Sequence, residues 1–221
     1  MTRKSVDAER RAEIGRARRA RTRAKIIASA FALFGSEEGL FTRVEDVADR
    51  AGITRATFYN HFNDMADLRE AVTYEVTHDF LVAVINTVLM LEDQRERASA
   101  AIRFYLNKAR EDPQWGWSMI NLSANGIIFG AETTRQAEQT VVDGMEDGRL
   151  DVPNSRIGRD MIMGTALAAL TSMLREDPGP DYPVQVTAQI LIGLGVEAGI
   201  AGEIARRPLP PLVQDTKLDQ V

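Results

Sequence analysis

Residues 44–62 read VEDVADRAGITRATFYNHF. Val44, Val47, Ala48 and Ala51 recur at helical spacing, and Gly52 stands where a helix C-terminus favours a left-handed residue. Two positions on, Thr54 is a good helix N-cap. The spacing predicts two short helices, 44–51 and roughly 54–62, joined by a tight glycine turn, which is a helix-turn-helix. Val47, Ile53 and Phe58 supply the small core between them, and Ala48 lets the helices approach closely. Phe62 follows Phe58 by one turn and joins that inner face. The outer face then carries Arg55, Ala56, Thr57, Tyr59, Asn60 and His61. This set is rich in donors, poor in acid and short in reach. Arg and Asn can bond guanine and adenine edges bidentately, and Thr, Tyr and His can donate to phosphate oxygens. A catalytic reading of His61 lacks support, because the chain has no cysteine and no nucleophile or orienting group stands at a suitable spacing.

Working outward, the chain reads as helix throughout. Ile27, Ala30, Phe31 and Phe34 mark one face of a first helix, which GSEEGLF breaks. Thr42 is a plausible N-cap for 44–51. Asn63 and Asp64 can cap a long helix in which Leu68, Val72, Val76, Phe80 and Val84 step by four as far as about Met90. Further helices are expected at roughly 94–111, 114–130, 132–148, 155–175 and 183–206, separated by Asp112-Pro113, DGRLDVPN and EDPGPDYP. The fold class is all-α. The expected organisation is a basic N-terminal arm (1–20), a helix-turn-helix domain (21–66), a larger helical domain (67–207) and a loose, Pro-rich tail (208–221).

The net charge of −5 over 221 residues hides an asymmetry. Residues 1–25 hold ten Lys or Arg against three acids (Asp7, Glu9, Glu13), a net +7 that leaves −12 for the remainder. A basic end on an acidic body suggests different partners for the two parts, with a phosphate polyanion for the basic one. The absence of cysteine excludes disulfides and thiolate chemistry and fits a reducing cytoplasm. No apolar run is long enough for a membrane span, and the N-terminus has no secretory h-region. No metal and no cofactor is expected.

The run FTRVEDVADRAGITRATFYNHFNDMADL (41–68) closely resembles the DNA-binding signature of the tetracycline-repressor family. The matching features are Thr-x-Val-x-x-Val-Ala, Ala-Gly-Ile-Thr and Thr-Phe-Tyr-x-His-Phe, and AKIIASAFALFGSEEG resembles that family's first helix. The resemblance covers about residues 22–70. It implies a homodimeric transcription regulator, usually a repressor released by a small molecule bound in the C-terminal domain. It further implies that Thr42, Thr54, Thr57, Tyr59 and His61 hold phosphates while Arg55, Ala56, Thr57 and Asn60 face bases. The family often has Lys where this chain has Met65. Arg43 stands where Ser or Thr is common and offers a replacement contact.

Residues 113–131, PQWGWSMINLSANGIIFGA, carry no charge and hold both tryptophans. Ser118, Asn121 and Asn125 follow helical spacing, a sparse polar stripe on an apolar helix. One reading is a buried helix whose polar groups bond to neighbours. The other is the wall of an effector site, apolar with a few placed polar groups, with Phe104, Tyr105, Trp115, Trp117, Met119 and Phe129 as further lining and an apolar or aromatic small molecule as ligand. MIMGTALAALTSML and VQVTAQILIGLGVEAGIA are charge-poor and rich in Gly and Ala. On a surface they would leave large apolar patches, so burial against a twofold mate through the last two long helices is expected.

The sequence thus points to a non-enzymatic, cytoplasmic regulator that binds a palindromic double-stranded operator and answers to a small molecule. An activator or ungated regulator of the same fold, or a helical small-molecule-binding protein or enzyme with a non-functional helix-turn-helix, stays open. The Arg-rich arm reads either as a solvated tail or, directly before a helix-turn-helix, as a minor-groove or backbone-tracking element. Removing residues 1–20 should weaken DNA binding and flatten its dependence on salt. An unchanged slope in a salt titration of operator affinity would refute this.

Overall fold

The computed structural model describes residues 3–124, 126 and 128–213. Ten α-helices follow one another, and no strand occurs among the described residues. The DNA-binding end is built from α1 (Arg3–Phe34), a 3-10 turn (Glu37–Phe41), α2 (Val44–Ala51), α3 (Arg55–Tyr59) and the start of α4 (Met65–Val88). The body adds α5 (Gln94–Glu111), α6 (Pro113–Ser123), α7 (Ala131–Glu146), α8 (Ser155–Glu176), α9 (Tyr182–Gly193) and α10 (Ala198–Arg206). No helix among the described residues is long and apolar enough to cross a membrane.

Local chemistry sets the helix-turn-helix. The α2 N-terminus is closed by the Asp46 carboxylate, which accepts from the Arg43 backbone N–H at 2.7 Å, so Arg43 rather than Thr42 is the N-cap. Gly52 ends α2 at φ +60, and the Ile53 N–H returns to the Ala48 carbonyl at 2.9 Å. That left-handed step costs glycine little and turns the chain within one residue. Thr54 then caps α3 by accepting from the Thr57 N–H at 3.1 Å. Phe58 is fully buried and Phe62 almost so, together with Val47, Ala51 and the α1 residues Ile26, Ala30 and Phe34. Asp64 caps α4 by accepting from the Asp67 N–H at 2.8 Å.

Five boundaries differ from those expected, one of them α3, which ends at Tyr59 rather than near residue 62. The basic arm is helical and continuous with α1, which at 1.5 Å per residue runs about 48 Å. The helix expected at 114–130 ends at Ser123, because the Ser123 hydroxyl turns back to accept from the Phe129 N–H at 3.0 Å. The helix expected at 183–206 is two helices. Between them Gly195 takes φ +87, and a Cβ there would lie 2.7 Å from the Asp151 carbonyl. Residues 208–213 of the expected loose tail are held at both ends, while residues 214–221 lie outside the described residues. At one end the buried Arg103 guanidinium donates to the Arg207 carbonyl at 2.6 Å. At the other the Val213 N–H donates to the Thr87 hydroxyl at 2.8 Å. Leu209 and Leu212 fill part of a groove beside Phe31, Val76, Phe80, Phe104 and Trp115.

Because the two leucines are partly buried there, ending the chain after Arg207 should cost about 1–3 kcal/mol of stability. Thermal unfolding checks this. An unchanged melting temperature would mean that the strap contributes nothing to the body.

Candidate nucleic-acid interface and effector cavity

The outer face of α3 is exposed as its register requires. Thr54, Arg55, Ala56, Tyr59 and Asn60 are open to solvent, and Thr57 and His61 are half-buried. Tyr59 is 49% exposed, with its ring edge against the buried Phe58 at 5.4 Å, so its hydroxyl end is free to reach outward. Arg55 pairs with Glu45 of α2 at 2.8 Å. Both side chains are well exposed, so that pair is weak and a base edge or phosphate can displace it. Arg43 is exposed and Thr42 half-buried at the entrance to α2. Met65 is half-buried against the core and offers no donor there.

Sequence reasoning missed what stands beside this face. Arg19 of α1 donates to the Asn60 carbonyl at 3.0 Å. Arg23 lies 5.1 Å over the Phe62 ring and 3.5 Å from Glu75. The arm therefore leaves the body at the C-terminal end of α3, and residues 10–20 are wholly exposed. A helix about 10–12 Å across is too wide for a minor groove about 6 Å wide. A helical arm can instead follow the backbone or the major groove. Burial and then the positive charges of Arg19 and Arg23 hold the His61 imidazole below its ordinary value.

In the body, a cavity of about 100 Å³ lies between α4, α5, α7 and α8. Tyr105 and Phe129 line it, as expected of an effector wall. The other expected residues are placed elsewhere. Phe104 and Trp115 face the open groove under the C-terminal strap. Met119 is core, and Trp117 lies under the Arg175 guanidinium at 5.6 Å. Ser118 and Asn121 do not line the cavity. The Ser118 hydroxyl donates to the Phe31 carbonyl at 3.3 Å, and the Asn121 amide donates to the Phe34 and Ser36 carbonyls, both at 2.8 Å. Asn125 lies outside the described residues.

The polar part of the cavity comes instead from α7, where Thr133, Gln136, Thr140 and Asp143 share one face. Sequence could not single that face out, because Glu132, Arg135 and Glu138 make the rest of the helix polar as well. Phe129 reaches the cavity from a backbone with φ +55, an uncommon conformation for a bulky residue.

Arg69 was also unanticipated. Buried on α4, it donates to the Asn121 carbonyl at 2.9 Å and the Leu40 carbonyl at 3.1 Å, and sits 4.6 Å over the Phe34 ring. It has no carboxylate partner among the described residues.

Comparison with known proteins places this geometry. A family model described as "Tetracyclin repressor-like, C-terminal domain" matches residues 93–207, and one described as "Bacterial regulatory proteins, tetR family" matches residues 26–72. Among solved structures the chain is similar to RolR in complex with resorcinol, at 27% identity and a TM-score of 0.73, with 89% of this chain and 99% of that chain covered. It is also similar to SmeT, the repressor of the Stenotrophomonas maltophilia multidrug efflux pump SmeDEF, at 20% identity and a TM-score of 0.62, covering 86% and 96%. Its likeness to FadR from Bacillus subtilis in complex with stearoyl-CoA is 18% identity and a TM-score of 0.61, covering 77% and 96%. At the last two identities the likeness is one of fold alone. A search of curated protein sequences finds no match.

The depressed His61 makes a signed prediction. A phosphate oxygen at His61 would favour the imidazolium, so the bound state would have the higher pKa and binding would take up a proton. DNA affinity should therefore rise as pH falls from about 8 to about 5.5. In His61→Asn that dependence should be lost. Equal pH slopes for the two proteins in fluorescence anisotropy would remove His61 from the interface.

Proposed function

The chain belongs to the tetracycline-repressor family of bacterial regulatory proteins, and from that premise we propose that it is a homodimeric repressor released from a palindromic operator when a small molecule fills the cavity of its C-terminal domain. The observation that carries this reading is α6, which touches the cavity loop at one end and the DNA-binding domain along one face. At its C-terminus Ser123 accepts from the N–H of the cavity residue Phe129. On its other side Ser118 and Asn121 bond to the last turn of α1 and to Ser36 just beyond it, and Arg69 ties the Asn121 carbonyl to Leu40, just before α2. A ligand that repositions Phe129 thus acts on a helix bonded to the frame of α2 and α3. It shifts the equilibrium only as far as it binds the two arrangements unequally. RolR, solved with resorcinol, supports effector control in this architecture.

On the operator, Thr42, Thr54, Thr57, Tyr59 and His61 would hold phosphates, with Arg43 as an added anchor. Arg55, Ala56, Thr57 and Asn60 would face base edges. The outward faces of α8 and α9 support a twofold contact: Ile157 and Ile192 are exposed, and the exposed Thr165 and Ala168 continue an uncharged stripe on α8. A dimer built there would present two α3 helices to successive major grooves about 34–36 Å apart. The protein would act in the cytoplasm, where the operator lies.

A gel shift on DNA flanking the protein's own gene tests the reading, and no specific shift would sink it. Within it, Arg55→Ala should cost about 1–3 kcal/mol and relax specificity at one base pair. Arg43→Ala should weaken binding uniformly across sequences and lower the salt slope by about 1. The reverse pattern would exchange the two assignments.

A further inference from the structure

Resting on the effector-controlled reading above, we propose that the cavity between α4, α5, α7 and α8 takes an uncharged, single-ring phenol whose hydroxyl bonds to the Tyr105–Thr133 pair. Three observations restrict the ligand, and each removes a different class.

The first is size. A cavity of about 100 Å³ is of the order that holds one benzene-sized molecule. Long acyl chains and multi-ring compounds do not fit the cavity as it stands. Its α4 and α8 walls are apolar, formed by Leu81, Val84 and Val88 and by Ile162, Met163 and Ala166, while α7 and Arg97 of α5 supply the polar side. The Phe129 ring, 5.4 Å from that of Tyr105, closes one side and suits an aromatic face.

The second is an unspent donor. The Tyr105 and Thr133 hydroxyls lie 3.0 Å apart and are buried. Two hydroxyls carry two hydrogens, and only one lies between the oxygens. The other has no acceptor among the described residues, whichever of the two donates. Burial, against a smaller opposing pull from Thr133, pushes the Tyr105 hydroxyl up to about 12, so the pair stays neutral and keeps that hydrogen. A ligand must supply an acceptor there, or the buried donor goes unpaired. A ring without a polar atom fails this requirement.

The third is charge. On the same wall lies the Asp143 carboxylate, which accepts from the Gln139 amide at 2.7 Å. The nearest cation to it is Arg97, 3.9 Å away, whose guanidinium also donates to the Leu91 carbonyl at 2.7 Å. Arg97 lines the same cavity, so a carboxylate ligand would be repelled by Asp143 and would have to compete with it for that guanidinium. A hydroxyl avoids that repulsion and still accepts from the Tyr105–Thr133 pair.

Calorimetry on the full-length protein with phenol, toluene and benzoate as probes tests this directly. Phenol should bind at least about tenfold more tightly than toluene, the difference expected for a lost buried hydrogen bond. Benzoate should bind more weakly than phenol. The double variant Tyr105→Phe/Thr133→Val removes both hydroxyls with little change of shape. It should abolish the preference for phenol over toluene while keeping the parent's unfolding temperature to within a few degrees. Equal affinity for phenol and toluene, tighter binding of benzoate, no binding of any probe, or a preference that survives the double variant would each overturn the assignment. Operator binding is measured separately on the same protein. A protein that shifts its operator but ignores phenol loses the ligand class and keeps the regulator reading, and one that binds phenol but no DNA does the opposite.

Discussion

The rest of the molecule depends on a buried cation that has no anion beside it among the described residues. Arg69 sits on α4 with little solvent, and burial pulls its guanidinium below its ordinary value. A charge in such a place is costly unless its donors are used. Here two backbone carbonyls and the face of Phe34 take the role that a carboxylate would usually fill. Those partners belong to three segments: the end of α1, the 3-10 turn before α2, and α6. Arg69 is therefore satisfied only while the DNA-binding domain and α6 keep one relative position. If α6 moves enough to withdraw the Asn121 carbonyl, the charge is left short of a partner. Such a joint resists small displacements and gives way to large ones, which suits a two-state element better than an elastic one.

Electrostatics divides the two ends. The DNA-binding end carries Arg19, Arg23, Arg43 and Arg55 at and beside the α3 face, and two of its acids, Glu45 and Glu75, pair with Arg55 and Arg23. That arrangement serves a polyanion twice. It leaves the arginines in water, where their partners are easily exchanged. It also lowers the His61 pKa, through burial first and then Arg19 and Arg23, a shift that a phosphate bound there would oppose. The acidic body differs, with no charge in α8 between Asp160 and Arg175 and none in α9.

The helix-turn-helix was legible in the sequence because everything that shapes it is local. Thr54 caps three residues ahead, Gly52 turns at one position, and Phe58 and Phe62 are four apart. The polar stripe of Ser118 and Asn121 was legible as a stripe, but its destination was not. Its acceptors, Phe31, Phe34 and Ser36, lie more than eighty residues away in the chain, and no spacing rule reports a contact of that range. Of the two readings the sequence leaves open, polar groups bonded to neighbours is the one that fits Ser118 and Asn121. The α7 side of the cavity was hidden for the opposite reason, since its polar residues are surrounded by other polar residues. In the strap, Pro208, Pro210 and Pro211 suggest looseness, whereas the burial of Leu209 and Leu212 depends on a groove made by four other helices.

Four rings connect the cavity to α6 by a second route. Phe129 stands 5.4 Å from Tyr105, Tyr105 5.9 Å from Trp115, and Phe80 bridges Tyr105 and Trp115 at 5.2 and 5.4 Å. Tyr105 faces the cavity, Trp115 faces the open groove, and Trp115 belongs to α6. A molecule in the cavity therefore meets α6 through Phe129 and Ser123 at its C-terminus, and through Tyr105 and Trp115 near its N-terminus. Trp115 also carries a buried indole N–H with no acceptor among the described residues. That unpaired donor is a cost of the present position of α6. It stands against the satisfied bonds of Ser118, Asn121 and Arg69 on the neighbouring side of the helix. A displacement that gave the indole an acceptor would recover that cost, while one that broke the Arg69 joint would add a larger one. The position of α6 is then a balance between a cluster of rings that a ligand can disturb and a polar joint that holds the DNA-binding domain.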